Sequence, residues 1–170
     1  MIVLDTNILG TFTRVGALDL LRALFPKDEL GVTPAVYSEL VAGMREGRQF
    51  LQTAVKLVES GELALFALTA EEVVHRVQLP GSLNEGEAQS IAVCQSRGAA
   101  FLTNDRRAHN YCISENIEVF DLPPRCATRA VEVGRLHETK GPPTGRRYRG
   151  QGRPGHQTQG TDLHKVTGRG

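Results

Sequence analysis

What most constrains this chain is an alternation. Short extended runs at 2–4, 29–33, 63–68, 99–103 and 117–120 are separated by stretches of helical periodicity, in the order β-α-β-α-α-β-α-α-β-α-β. Runs such as Ile2-Val3-Leu4 and Ala99-Ala100-Phe101-Leu102 contain no polar residue, so a strand built from them has no face suited to water. Helices placed between successive strands supply cover on both sides. The pattern predicts an α/β domain with a mainly parallel sheet of about five strands and right-handed crossovers. Ligands of such sheets collect at the carboxyl ends of the strands, where loops and helix N-termini gather. Asp5 stands at the end of the first run, followed by Thr6 and Asn7.

Start and stop signals place the helices. Gly10 and residues 11–14 read as a loop, after which Ala17, Leu18, Leu20, Leu21 and Leu24 form a broad apolar helical face ahead of Pro26. Thr33-Pro34 reads as an N-cap and first helical position, opening a helix to about Gly43 with Val36 and Leu40 on its core side. A further helix over 48–60 carries Leu51, Val55 and Val58 and stops at Gly61. Thr69 with Glu72, and Asn84 with Glu87, have the spacing of capping boxes, the second opening a helix that ends at Gly98. Residues 106–114 form a short helix, and 125–137 a last amphipathic one.

Charge divides the chain. Residues 1–139 carry 13 Lys and Arg against 18 Asp and Glu, whereas 140–170 carry seven against one, with eight Gly and three Pro. The second segment has too little apolar surface to offset its ordering entropy, so the expected organisation is a domain over 1–139 and a disordered Gly/Arg-rich tail over 140–170. Cys94, Cys112 and Cys126 are odd in number and contain no C-x-x-C pair, which argues against a disulfide framework or a zinc site and for a reduced, cytoplasmic setting. No apolar stretch is long enough to span a membrane.

Asp5 and Asp105 both follow strands, so a parallel sheet brings both carboxylates out at one edge. Glu39 and Glu87 lie on helices that begin after short connections on that side, Glu87 within the first turn. Four acids gathered there repel one another unless a cation answers them. Mg²⁺ takes a few carboxylates plus retained waters, and Mn²⁺ accepts the same oxygens. Each acid also has a local alternative: turn chemistry for Asp5, a solvated helix face for Glu39, a capping box for Glu87, a helix dipole for Asp105. Glu85 competes with Glu87 as the third acid.

The V-L-D-T-N start, Glu39 in Y-S-E-L, the G-E-A-Q-S-I-A helix start and the F-L-T-N-D strand end resemble the PIN-domain nucleases, including the toxin ribonucleases of toxin–antitoxin pairs. The resemblance spans about residues 1–122. It implies a three-layer α/β/α fold and a site in which Asp5, Glu39, Glu87 and Asp105 surround Mg²⁺ or Mn²⁺, with Thr103 and Asn7 as polar supporters. It departs from the family's pattern in placing Glu where many toxin members have Asp, and in the basic tail.

The chemistry so implied is hydrolysis of RNA phosphodiester bonds by metal-bound water. Arg106 and Arg107 beside Asp105, and Arg14 near Asp5, are the expected phosphate contacts. An antitoxin protein and a second copy of the chain are the expected protein partners, with the helices at 17–24 and 48–60 as dimer surfaces. Two other readings compete: a non-catalytic RNA- or partner-binding module, and an aspartyl-phosphate phosphotransfer domain built on Asp5. The second lacks the additional acid such sites keep close in sequence. His75 and His109 are single and form no nucleophile–base pair.

Overall fold

The structure, a computed structural model, describes residues 1–122. The helix expected over 125–137, the domain boundary after 139 and the basic segment 140–170 lie outside the described residues. Strands β1 (Ile2–Leu4), β2 (Leu30–Val32), β3 (Ala64–Leu65), β4 (Ala100–Leu102) and β5 (Val119–Phe120) form one sheet in the order β3-β2-β1-β4-β5, every neighbouring pair parallel. The expected α/β fold with a five-stranded parallel sheet is therefore present. The chain builds β2 and β3 on one side of β1 and then crosses to build β4 and β5 on the other. The switch falls between β1 and β4, the place where parallel sheets of this kind bind ligands at the carboxyl ends of their strands.

Period-two geometry distributes the strand side chains between two cores. Ile2, Leu4, Leu30, Val32, Ala100 and Leu102 join one core with α1 (Thr6–Arg14), α2 (Leu18–Leu24), α3 (Pro34–Arg45) and α4 (Gln52–Glu59). Val3 and Phe101 join the other with α6 (Glu85–Arg97) and α7 (Arg106–Ser114), and α5 (Ala70–Gln78) packs along α6. Gly31 on β2 is required by packing: a Cβ there would stand 2.7 Å from the Phe66 ring. Gly98 ends α6 in the left-handed region at φ 61°, where its missing Cβ removes the steric cost.

Several local expectations are corrected. Residues 10–14 are not a loop but the second half of α1, because Ile8, Leu9 and Phe12 recur at helical spacing and are wholly buried. Thr11 and Thr13 hydroxyls donate to the carbonyls four residues back (2.8 and 2.5 Å), which removes their competition with the helix. The segment 48–60 is a 3-10 turn (Gln49–Leu51) followed by α4. Thr33 precedes α3 as expected, yet its hydroxyl caps nothing and is buried without a partner. Gln89 of α6 serves instead, its Oε1 accepting from the Ala35 amide at 3.0 Å. Among the described residues no helix is long and apolar enough to cross a membrane.

Candidate active site

Asp5 sits one residue beyond β1, where its amide donates to the Leu102 carbonyl of β4 (3.1 Å) and its backbone carbonyl begins α1. Its side chain is only 3% exposed. Thr103, wholly buried at the end of β4, donates its hydroxyl to Asp5 Oδ2 at 3.0 Å and accepts from the Asp105 amide at 3.0 Å. One hydroxyl thus joins the acids that end the two central strands. Asp105 Oδ1 caps α7, accepting from the amides of Arg107 (2.8 Å) and Ala108 (3.0 Å).

The two glutamates arrive from the helices. Glu39 is carried on the second turn of α3 and its Oε2 accepts from the Thr6 hydroxyl at the head of α1 (2.5 Å). Its Oε1 lies over Gly86, where a Cβ would stand 2.8 Å away, so the glycine at the start of α6 is what admits the carboxylate. Glu87, 2% exposed, completes the capping box: Oε2 accepts from the Asn84 amide (3.0 Å) while Asn84 Oδ1 accepts from the Glu87 amide (2.8 Å). Glu85 turns elsewhere, pairing with Arg76 of α5 and accepting from Gln89 Nε2.

Electrostatics link the four. Burial pushes Asp5 from 3.8 up to about 6; the Thr103 hydroxyl and Thr6 amide oppose this, and the charges of Glu87 and Glu39 add to it. Burial also raises Glu87, opposed by the Asn84 amide and by Arg107 and reinforced by Asp105 and Glu39. As the side chains stand, no three His, Cys, Asp or Glu among the described residues form a ready-made metal cage. The donor set nonetheless fits a hard divalent cation. Glu39, Glu87 and Asp105 each fix one oxygen on an internal donor, and the second takes no hydrogen bond from a described residue. Mg²⁺ needs only one or two direct carboxylates and keeps waters for its other positions.

Of the expected phosphate contacts, Arg107 is at the site: its charge lowers Glu87, and its Nε is 4.0 Å from Asp105 Oδ1. Arg106 is exposed on the first turn of α7. Arg14 is not beside Asp5, because α1 carries it about 13 Å along the helix axis, to a place over the Phe50 ring. Asn7 is exposed on α1 and holds none of the acids. Thr6, which the sequence pattern does not single out, joins the site from the first turn of α1 beside Asp5.

A family model described as a PIN domain matches residues 1–121. A search of curated proteins finds no match. Among solved structures, a chain of VapBC2 from Rickettsia felis, determined bound to a DNA fragment from their promoter, is 15% identical with a TM-score of 0.58. The match covers 72% of this chain and 100% of that one, and at such identity it shows the fold alone.

Proposed function

Since the chain belongs to the PIN-domain family, we propose that it is a divalent-metal-dependent endoribonuclease that hydrolyses RNA phosphodiester bonds, acting as the toxin of a toxin–antitoxin pair. The observation that carries this is the burial of Asp5 and Glu87 against two further acids, an arrangement that raises both and that a fold built only for stability has reason to avoid. Asp5, Glu39, Glu87 and Asp105 are the residues that would hold Mg²⁺ or Mn²⁺. When bound, such an ion lowers the pKa of a water and offsets charge on the scissile phosphate.

The chain's own groups prepare that site. Thr103 fixes Asp5 and the start of the Asp105 turn together, and Thr6 fixes Glu39. Arg107, exposed beside Asp105, is the group that would meet a non-bridging phosphate oxygen. A phosphotransfer role for Asp5 is disfavoured by its burial and by the hydroxyl held on Oδ2. The protein partners remain an antitoxin and a second copy. Leu21, Ala54 and Val55 are committed to the core, so the apolar surface left for a second copy is the exposed Leu24 of α2 together with Val73, Val74 and Val77 of α5.

The test is cleavage of single-stranded RNA by the full chain with Mg²⁺ or Mn²⁺, with EDTA, and with Asp5→Asn. Metal-dependent cutting lost in the variant is expected. Cutting that persists in EDTA or in Asp5→Asn overturns the reading, and RNA binding without cutting supports the non-catalytic alternative.

A further inference from the structure

Resting on that reading of the acid site, we propose that the groove between α1 and the 3-10 turn binds the sugar-phosphate backbone of the RNA strand as it leaves the scissile bond. Arg14 and Arg48 are the phosphate contacts at its far end. The groove encloses about 370 Å³, with Thr6, Gly10 and Arg14 along one wall and Arg48, Phe50 and Leu51 along the other. Its near end is the acid site itself, since Thr6 both lines the groove and donates to Glu39. Its far end lies about 13 Å away along α1, a few nucleotides at a stacked spacing of about 3.4 Å.

The far end is built for an anion. The Arg14 guanidinium carbon lies 4.5 Å over the Phe50 ring centroid, a cation–π contact that steadies the side chain without occupying its N–H donors. Among the described residues Arg14 has no carboxylate within ion-pair distance, although it also complements the carboxyl end of the α1 dipole. Arg48 lies against Gly43, where a Cβ would meet its guanidinium carbon at 2.8 Å. Among the described residues its ion pair is with Glu46 at 2.8 Å, exposed on both sides and easily exchanged.

Gly10 supports the same assignment. A glycine inside a helix lowers helix stability, yet here a Cβ would make only ordinary contact, 3.7 Å from Leu51. Steric exclusion therefore does not explain it. The same Cβ would lie 4.0 Å from the Phe50 ring, so the two walls meet at Gly10 as the floor of the groove, and a long side chain there would fill the space between the acids and the two arginines. A polyanion repelled by the acid cluster is drawn along this floor by the cations beyond it.

Fluorescence anisotropy with a single-stranded RNA of about ten nucleotides, in EDTA to prevent cutting, tests the assignment on the full chain. Arg14→Ala and Arg48→Ala should each weaken binding by about three- to tenfold and make the salt slope shallower by about 0.7. Gly10→Gln, which fills the floor and leaves both arginines, should give a comparable loss of affinity. Arg22→Ala, which removes the Glu62 pair beyond α1, should change neither quantity. In Mg²⁺, kcat/KM for the longer RNA should fall in the arginine variants and that for a dinucleotide should not. Thermal melts check folding, and Arg14→Lys supplies a variant that keeps the charge and recovers the salt slope. If wild type cuts RNA while the variants bind it with unchanged affinity and slope, or lose dinucleotide cleavage equally, the groove assignment is wrong. Failure of wild type to bind or cut RNA removes the underlying function instead.

Discussion

Helices α5 and α6 lie side by side and open with the same device, yet their capping glutamates end in opposite electrostatic states. Glu72 and Glu87 occupy the third helical position, accept from the N-cap amide, and are 1% and 2% exposed. Glu72 meets Arg97 of α6, which donates from Nε and one terminal nitrogen at 2.7 Å each, and the carboxyl falls from 4.5 to about 2. Glu87 faces Asp105 and Glu39 and is raised. Burial and cap are shared, so the difference comes from what stands across from the carboxylate. An answered acid belongs to the scaffold, and an unanswered one marks a place where something else is expected to bind.

The largest separation should appear in activity. Asp5→Asn and Asp105→Asn should reduce metal-dependent RNA cleavage by at least about a hundredfold, beyond the ten- to hundredfold range of an outer supporting residue. Glu87→Gln should join them, while Glu72→Gln, assayed where it is folded, should cut at the wild-type rate. Equal losses for the two glutamines, measured as kcat/KM, would break the comparison.

Stability should sort the same residues the other way. Arg97→Ala leaves Glu72 buried without its partner, and urea unfolding should show a loss of about 2–4 kcal/mol, part of the guanidinium being already in water. Glu87→Gln keeps an oxygen for the Asn84 amide and removes a like charge, so its midpoint should hold or rise.

The pH dependence sharpens the contrast in metal-free protein. Asp5 is raised, so its penalty is absent below about pH 4, grows as pH climbs through about 6, and is complete above that. Asp5→Asn and wild type should coincide in acid, and the variant should be the more stable at neutral pH by up to about 3 kcal/mol. Glu72 is lowered, so its contribution is complete above about pH 4.5 and is lost as pH falls towards 2. The deficit of Glu72→Gln should therefore vanish in acid. Denaturation midpoints between pH 2 and pH 8 check both signs.

The smallest effect concerns Thr103. Replacing it by Val removes the donor to Asp5 Oδ2, which raises Asp5 further and loosens the Asp105 turn. A cleavage loss of about tenfold, smaller at high pH than at neutral pH, is expected from a pH–rate profile.

Much of this arrangement follows from local rules. Unbroken apolar runs must be strands covered on both faces, and Thr69 and Asn84 each stand three residues before a glutamate, so both capping boxes were legible. The parallel order of strands in turn placed Asp5 and Asp105 at one edge. The misreading of residues 10–14 was also local: Gly10 and three nearby threonine and arginine side chains suggested a loop, and the burial of Ile8, Leu9 and Phe12 prevailed. A helix through these residues carries Arg14 away from Asp5 and sets Thr6 in the first turn beside it.

The order of strands, the two capping boxes and the shared strand edge were determined by the sequence, because each depends on backbone groups and side chains a few residues apart. Tertiary structure decided which acids are answered. Arg97 reaches Glu72 across 25 positions, Thr6 reaches Glu39 across 33, and Thr103 reaches Asp5 across 98. Desolvation and Coulomb interaction act through space rather than along the chain, so the glutamates of two capping boxes spelled alike are shifted in opposite directions only once the helices pack.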